Sequence, residues 1–148
     1  MDAIWLDGAQ WLAVLRIGLG LWWLESWRHK EKKSWFEGAG IAWAADVAAK
    51  HRWSAVRSGF EAVVKPRPRT MAYVVLYGEL AIGLGLVAGF LTPVALVAAL
   101  VLNLLYFTLM IHDWAEQGQN SMMALISAVC LFGMGWQTWS VDAALGWL

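Results

Sequence analysis

The chain has a single cysteine, Cys130, so it cannot close an internal disulfide, and no CxxC or Cys/His cluster sets up a metal site. Charge is scarce: Asp, Glu, Lys and Arg together make up 15% of the 148 residues, against about 25% in an ordinary soluble domain. No Lys or Arg occurs after Arg69, and there is no basic tail or groove, so nucleic acid is not an expected partner. Lys and Arg are also missing from the opening MDAIWLDGAQ, and no small-residue cleavage site follows the first apolar run. A cleaved signal peptide is therefore not expected, and that run should stay in the protein. The three histidines, His29, His51 and His112, fall in or beside loops, where no two of them can face each other as haem ligands. Neither haem nor a metal is expected; His112 is the candidate for a proton donor at the membrane surface.

What the chain has instead is apolar length and tryptophan. It is 60% hydrophobic with 12 Trp, and four runs are long enough to cross a bilayer, at about 9–27, 71–90, 92–111 and 121–139. Twenty helical residues rise about 30 Å, the thickness of a hydrocarbon core. The expected fold is an all-α membrane protein, a single domain of four antiparallel transmembrane helices, with membrane lipid as its surroundings. Trp5, Trp11, Trp22, Trp23 and Trp27 flank the first span at the levels where amphipathic rings concentrate. The acidic lead carries Asp2 and Asp7. RHKEKK then marks a membrane exit, and Glu25 just before it is placed to snorkel to the interface.

Between the first and second spans, at about 40–65, the pattern changes. Trp53, Val56, Phe60 and Val63 share one helical stripe while Arg52, Arg57 and Glu61 lie off it, as in a helix lying in the membrane interface. The segment is either a surface connector or a roof over an opening through which a lipid-soluble ligand enters. Pro66 and Pro68 stop it. Gly-Phe-Leu-Thr-Pro at 89–93 predicts a tight turn with Thr92 as N-cap and Pro93 at the first helical position. Gly85 and Gly89 form a small-xxx-small pair that admits a close backbone. Ten of the 11 Lys and Arg residues lie between Arg28 and Arg69. That places the 28–69 loop in the cytoplasm and both termini outside.

Three polar side chains stand within apolar runs near mid-depth: Arg16, Glu79 and Asn103. An ion in the bilayer centre costs about 3 kcal/mol or more unless paired. The expectation is that Arg16 and Glu79 meet in the interior, either as a pair that fixes helix register or as the lining of a ligand or proton site. Cys130 and the methionines read as packing.

Several spacings point to a family. Arg16, Gly20, Leu24 and Lys30 follow an R-x3-G-x3-L-x5-K opening, and Trp35-Phe36 come next. Gly78-Glu79-Leu80 and Gly83, then Gly89-Phe90-Leu91-Thr92, Asn103, Tyr106, Gly135 and Asp142 continue the match. In this order the chain resembles the DoxX/DoxD family of small four-helix membrane proteins, one branch of which is the membrane subunit of thiosulfate:quinone oxidoreductase. The GE-x3-G-x5-G-x2-T segment is the most specific part. The resemblance implies a quinone as cofactor, further redox subunits as partners and the cytoplasmic membrane of a bacterium or archaeon. It also implies roles: Glu79 to exchange protons, Arg16 to stabilise anionic intermediates, and Asn103 and Tyr106 to bind the ligand; of the tryptophans, Trp22, Trp23 and Trp27 are the candidates to stack on a quinone ring. Two departures, Trp27 where the family often has Gly and the ending WQTWSVD without its Arg, keep open a non-catalytic scaffold subunit.

Overall fold

A computed structural model describes residues 5–147, and its regular elements are all helical; Asp2 lies outside the described residues. In chain order they are α1 (Gly8–His29), α2 (Lys32–Phe36), α3 (Ala39–Ala49), α4 (Ser54–Gly59), a π-helical turn (Phe60–Val64), α5 (Pro68–Ala88), α6 (Thr92–Leu109), α7 (Trp114–Phe132) and α8 (Val141–Leu145). The boundaries have local causes. Asp7 and Gln10 form a reciprocal capping box at the start of α1, with bonds of 2.8 and 3.0 Å. Pro68 opens α5, and Gly89 closes it in the left-handed region at φ +66°. Asp113 caps α7 by accepting from the Ala115 and Glu116 N–H groups.

Four long helices close a ring in which α1 packs on α5 and α7, and α6 packs on the same two. Neighbours run antiparallel. Gly20 lies so close to α5 that a Cβ there would sit 2.8 Å from the Val87 nitrogen, and one at Gly83 would sit 2.7 Å from the Leu24 side chain. Leu19, Trp23, Leu86, Leu96, Ala99 and Cys130 fill the middle. Polarity is turned inward: Arg16, Glu79, Asn103 and Ser127 are fully buried, while Val74, Leu84, Val94, Val97 and Val101 are exposed.

Two helices, α5 and α6, are long and apolar enough to cross a membrane. The other two runs differ from expectation for visible reasons. α1 carries Arg16, Glu25 and Arg28 within its 22 residues. The fourth run, expected as one helix over 121–139, is broken: α7 begins at Trp114 with the polar turns WAEQGQNS and ends at Phe132. Thr92 is not the cap of α6 either. Leu91, in left-handed geometry at φ 48°, takes that position, and Thr92 is the first helical residue.

The connector folds as short helices against the ring, with α3 contacting α5, α6 and the π-helical turn. Its expected apolar stripe is split. Trp53 and Val63 are about half exposed, whereas Phe60 and Val64 face inward. The Lys65 N–H reaches back five residues to the Phe60 carbonyl (2.9 Å), and this wider turn moves Val64 to the place a 3.6-residue period gives Val63. His51, buried rather than looped out, pins the connector. Its Nε2 bonds the Thr108 carbonyl of α6 (2.9 Å), and its Nδ1 accepts from the Trp53 N–H (3.1 Å).

Candidate functional site

Glu79 does not pair with Arg16. Its Oε2 accepts from the Lys30 Nζ at 2.6 Å and its Oε1 from the Tyr106 hydroxyl at 2.9 Å. The Glu79 side chain is fully buried and that of Lys30 is 17% exposed, so the pair spans the boundary of the interior. Lys30 is the C-cap of α1, and its ammonium also donates to the Ser26 hydroxyl (3.1 Å).

Helix register explains why the expected pair fails. Gly20 meets Leu86 and Val87, and Gly83 meets Leu24, so each step forward on α1 is a step back on α5. Arg16 is then level with the turn near residue 91, about twelve residues or about 18 Å from Glu79 along the axis. Lys30 is level with residue 77, within reach of the carboxylate. Arg16 instead donates to the carbonyls of Gly135 (3.3 Å) and Trp139 (2.6 Å) in the segment after α7. In the same region Asp142 accepts from the N–H groups of Leu91 (2.8 Å) and Thr92 (2.7 Å), while its own N–H donates to the Gly89 carbonyl (2.9 Å). Burial alone would push the Asp142 carboxyl up; the N–H groups of Thr92 and Leu91 and the nearby Arg16 charge outweigh it and hold it below the usual carboxylate range. Gly89 admits this clamp, since a Cβ there would lie 2.3 Å from that of Ser140. Arg16 is thus a tether for the C-terminal segment, away from Glu79.

On the Lys30 side the helices leave a cavity of about 470 Å³, within the size range of small-molecule sites. Trp23 of α1 and its C-cap Lys30, Asn103 and Tyr106 of α6, and Met123 of α7 line its walls. Trp43, Phe60 and Val64 of the connector cover it. Glu79 is not itself on the wall and stands behind Lys30 and Tyr106. The rings of Trp23 and Tyr106 lie 6.5 Å apart at 41°. Trp27, expected beside the ligand, is absent from the lining and instead carries the Lys32 ammonium 4.2 Å from its ring centroid. The Trp22 ring does reach the cavity.

Two cavity residues are unusual. Asn103 is fully buried, and neither its Nδ2 nor its Oδ1 has a hydrogen-bond partner among the described residues; the Nε1 of Trp23, 1% exposed, has none either. Leaving such a group unmade costs about 1–3 kcal/mol. These atoms lie behind the cavity surface, whose wall carries protons on the Tyr106 hydroxyl and the Lys30 ammonium and further polar groups on Ser26, Glu116, Gln119 and Asn120. The chain's sequence and structure match no family model, no curated protein and no solved structure.

Sequence reasoning missed Lys30, Asp142 as a cap, and buried His51. Lys30 stands in RHKEKK, which reads as a solvated cluster, although its spacing from Arg16 was already part of the opening pattern. Only the antiparallel register turns that spacing into a contact.

Proposed function

We propose that all four long helices cross a bilayer, with the connector on the cytoplasmic face, and that the cavity binds a quinone or a similar lipid-soluble ring bearing oxygen. The chain would then serve as the membrane subunit of a redox complex, as its resemblance to the DoxX/DoxD proteins implies. Support for the bilayer comes from the inverted polarity of the ring and from two helices of spanning length and composition. One observation carries the ligand: a cavity of about 470 Å³ walled by the rings of Trp22, Trp23, Trp35 and Tyr106, with the Lys30 ammonium at its edge. Polar atoms so placed fit a flat molecule with oxygen at its edge.

A bound quinone supplies the capacity to take up two electrons and two protons. The chain supplies the rest. The rings of Trp22 and Trp23 would stack on the ligand. The Tyr106 hydroxyl and the Lys30 ammonium hold protons at the wall, and Glu79 accepts from both and so fixes their direction. Lys30, partly exposed, connects this set to water, whereas Arg16 keeps the C-terminal segment in place and takes no part. A scaffold subunit is the second reading, although Gly85 and Gly89 pack against Ala95 and Ser140 of the same chain.

Titrating the purified protein in lipid nanodiscs with decylubiquinone, followed by tryptophan fluorescence, tests the proposal. Saturable quenching is expected, weakened at least about fivefold in Tyr106→Leu and unchanged in Trp27→Phe. Linear, non-saturating quenching in the unmodified protein would refute it.

A further inference from the structure

We infer that the ligand is an amphiphile, a polar ring carrying a long hydrocarbon tail, and that the tail leaves the cavity sideways between α5 and α6 to lie in a groove on the outer face of the bundle. This deepens the preceding proposal and rests on it. The groove runs between the two helices, from Val74 and Leu105 at one end to Pro93 and Val94 at the other. Residues 94 to 105 rise about 16 Å along α6. Val75 of α5 and Leu102 and Leu105 of α6 line the groove and also line the cavity. The two hollows therefore meet at these three side chains. None of the three is buried, so no packed core layer seals the seam.

The hollows differ in chemistry, and the difference orients the occupant. The cavity wall carries Ser26, Lys30, Glu116 and Gln119, groups that suit a ring bearing oxygen. Among the described residues the groove has no polar side chain in its lining. Hydrocarbon beside Glu116 and Gln119 would strip water from polar groups, a cost that the groove does not impose. The ring thus stays under the connector, and the tail runs along α6 toward the 89–93 turn. Gly78 keeps the exit clear. It lies three residues from Val75 and so on the same face of α5, and a Cβ there would meet nothing within 4 Å among the described residues. Gly20 and Gly83 admit a neighbouring helix, whereas Gly78 opens on the groove. An acyl chain of bulk lipid is the competing occupant, and it would not depend on what the cavity holds.

Calorimetric titration of the protein in nanodiscs, with decylubiquinone and with the same ring lacking its decyl tail, tests this. Each ligand is compared between two proteins, so its partitioning into lipid cancels. Gly78→Leu fills the groove, and Leu is the better helix former, so α5 is kept. It should weaken decylubiquinone binding at least about fivefold and leave that of the tailless ring within about twofold. Val101→Phe, at an exposed position on the groove's α6 wall, should do the same and serves if Gly78→Leu does not fold. Unchanged decylubiquinone affinity in both variants overturns the inference, leaving the groove to bulk lipid and the cavity site standing. Equal weakening of both ligands also overturns it, because the substitutions would then act on the ring. Binding of neither ligand to the unmodified protein overturns the cavity reading as well.

Discussion

Replacing Lys30 by Met is the perturbation whose effect follows most directly from the geometry. It removes, among the described residues, the one ammonium within bonding distance of the fully buried Glu79 carboxylate, leaving the Tyr106 hydroxyl as its partner. Breaking a buried pair from one side costs about 3–5 kcal/mol, because the remaining charge is stranded. Removing the other partner is not equivalent. Lys30 lies at the end of α1 with 17% of its side chain exposed, so in Glu79→Met its ammonium can turn to water. Only the Tyr106 hydroxyl is then left without an acceptor, at about 1–3 kcal/mol. The double variant Lys30→Met/Glu79→Met strands no charge and should fall within about 1.5 kcal/mol of the Glu79→Met protein. Thermal unfolding in one detergent should therefore rank Lys30→Met lowest, with the second substitution restoring much of the loss. At about 2–4 °C per kcal/mol for a chain of this size, the first substitution lowers Tm by about 6–20 °C. A Lys30→Met protein as stable as the parent, or simple additivity in the double variant, would refute the reasoning.

Other predictions concern the clamp and the helix contacts. Because the Asp142 carboxyl is held below its ordinary range, its contribution to stability is complete above about pH 4 and is lost as the pH falls through its lower folded value. Unfolding scans at pH 7 and pH 3 should show Asp142→Asn less stable at pH 7 and less sensitive to acid; an unchanged acid response contradicts that. Arg16→Met should raise hydrogen exchange at residues 135–142 while leaving decylubiquinone affinity within about twofold, since the tether lies away from the cavity. Gly20→Ala should cost about 1–3 kcal/mol, because its Cβ meets the Val87 backbone, whereas Gly18, with nothing within 4 Å, should accept Ala with a gain of about 0.5–1 kcal/mol. Denaturation midpoints of the two variants should move in opposite directions.

The helical class and most element ends were legible, because they depend on local signals. Apolar length gave α5 and α6, Pro66 and Pro68 separated the connector from α5, and the glycine at 89 marked the turn. Glu79 was legible as a solitary charge in an apolar run. Its partner was not, since midpoints of runs were matched as if all helices were level. The first turns of α1 project beyond the end of α5 to meet the C-terminal segment, and this offset carries Arg16 to the turn and Lys30 to Glu79. α7 was misread because composition marks only its apolar half, while the Asp113 cap that starts it lies in a loop-like stretch. Asn103 was visible as a lone amide. Its lack of a partner among the described residues is a property of the packed helices, which no spacing encodes.

Photolabelling with a diazirine-bearing quinone, mapped by mass spectrometry on the protein in nanodiscs, tests the cavity most directly. Labels should fall on Trp22, Trp23, Tyr106 and Met123 and disappear with excess decylubiquinone. Labels confined to Val94, Val97 and Val101 in the outer groove between α5 and α6, undiminished by that competitor, would contradict the account.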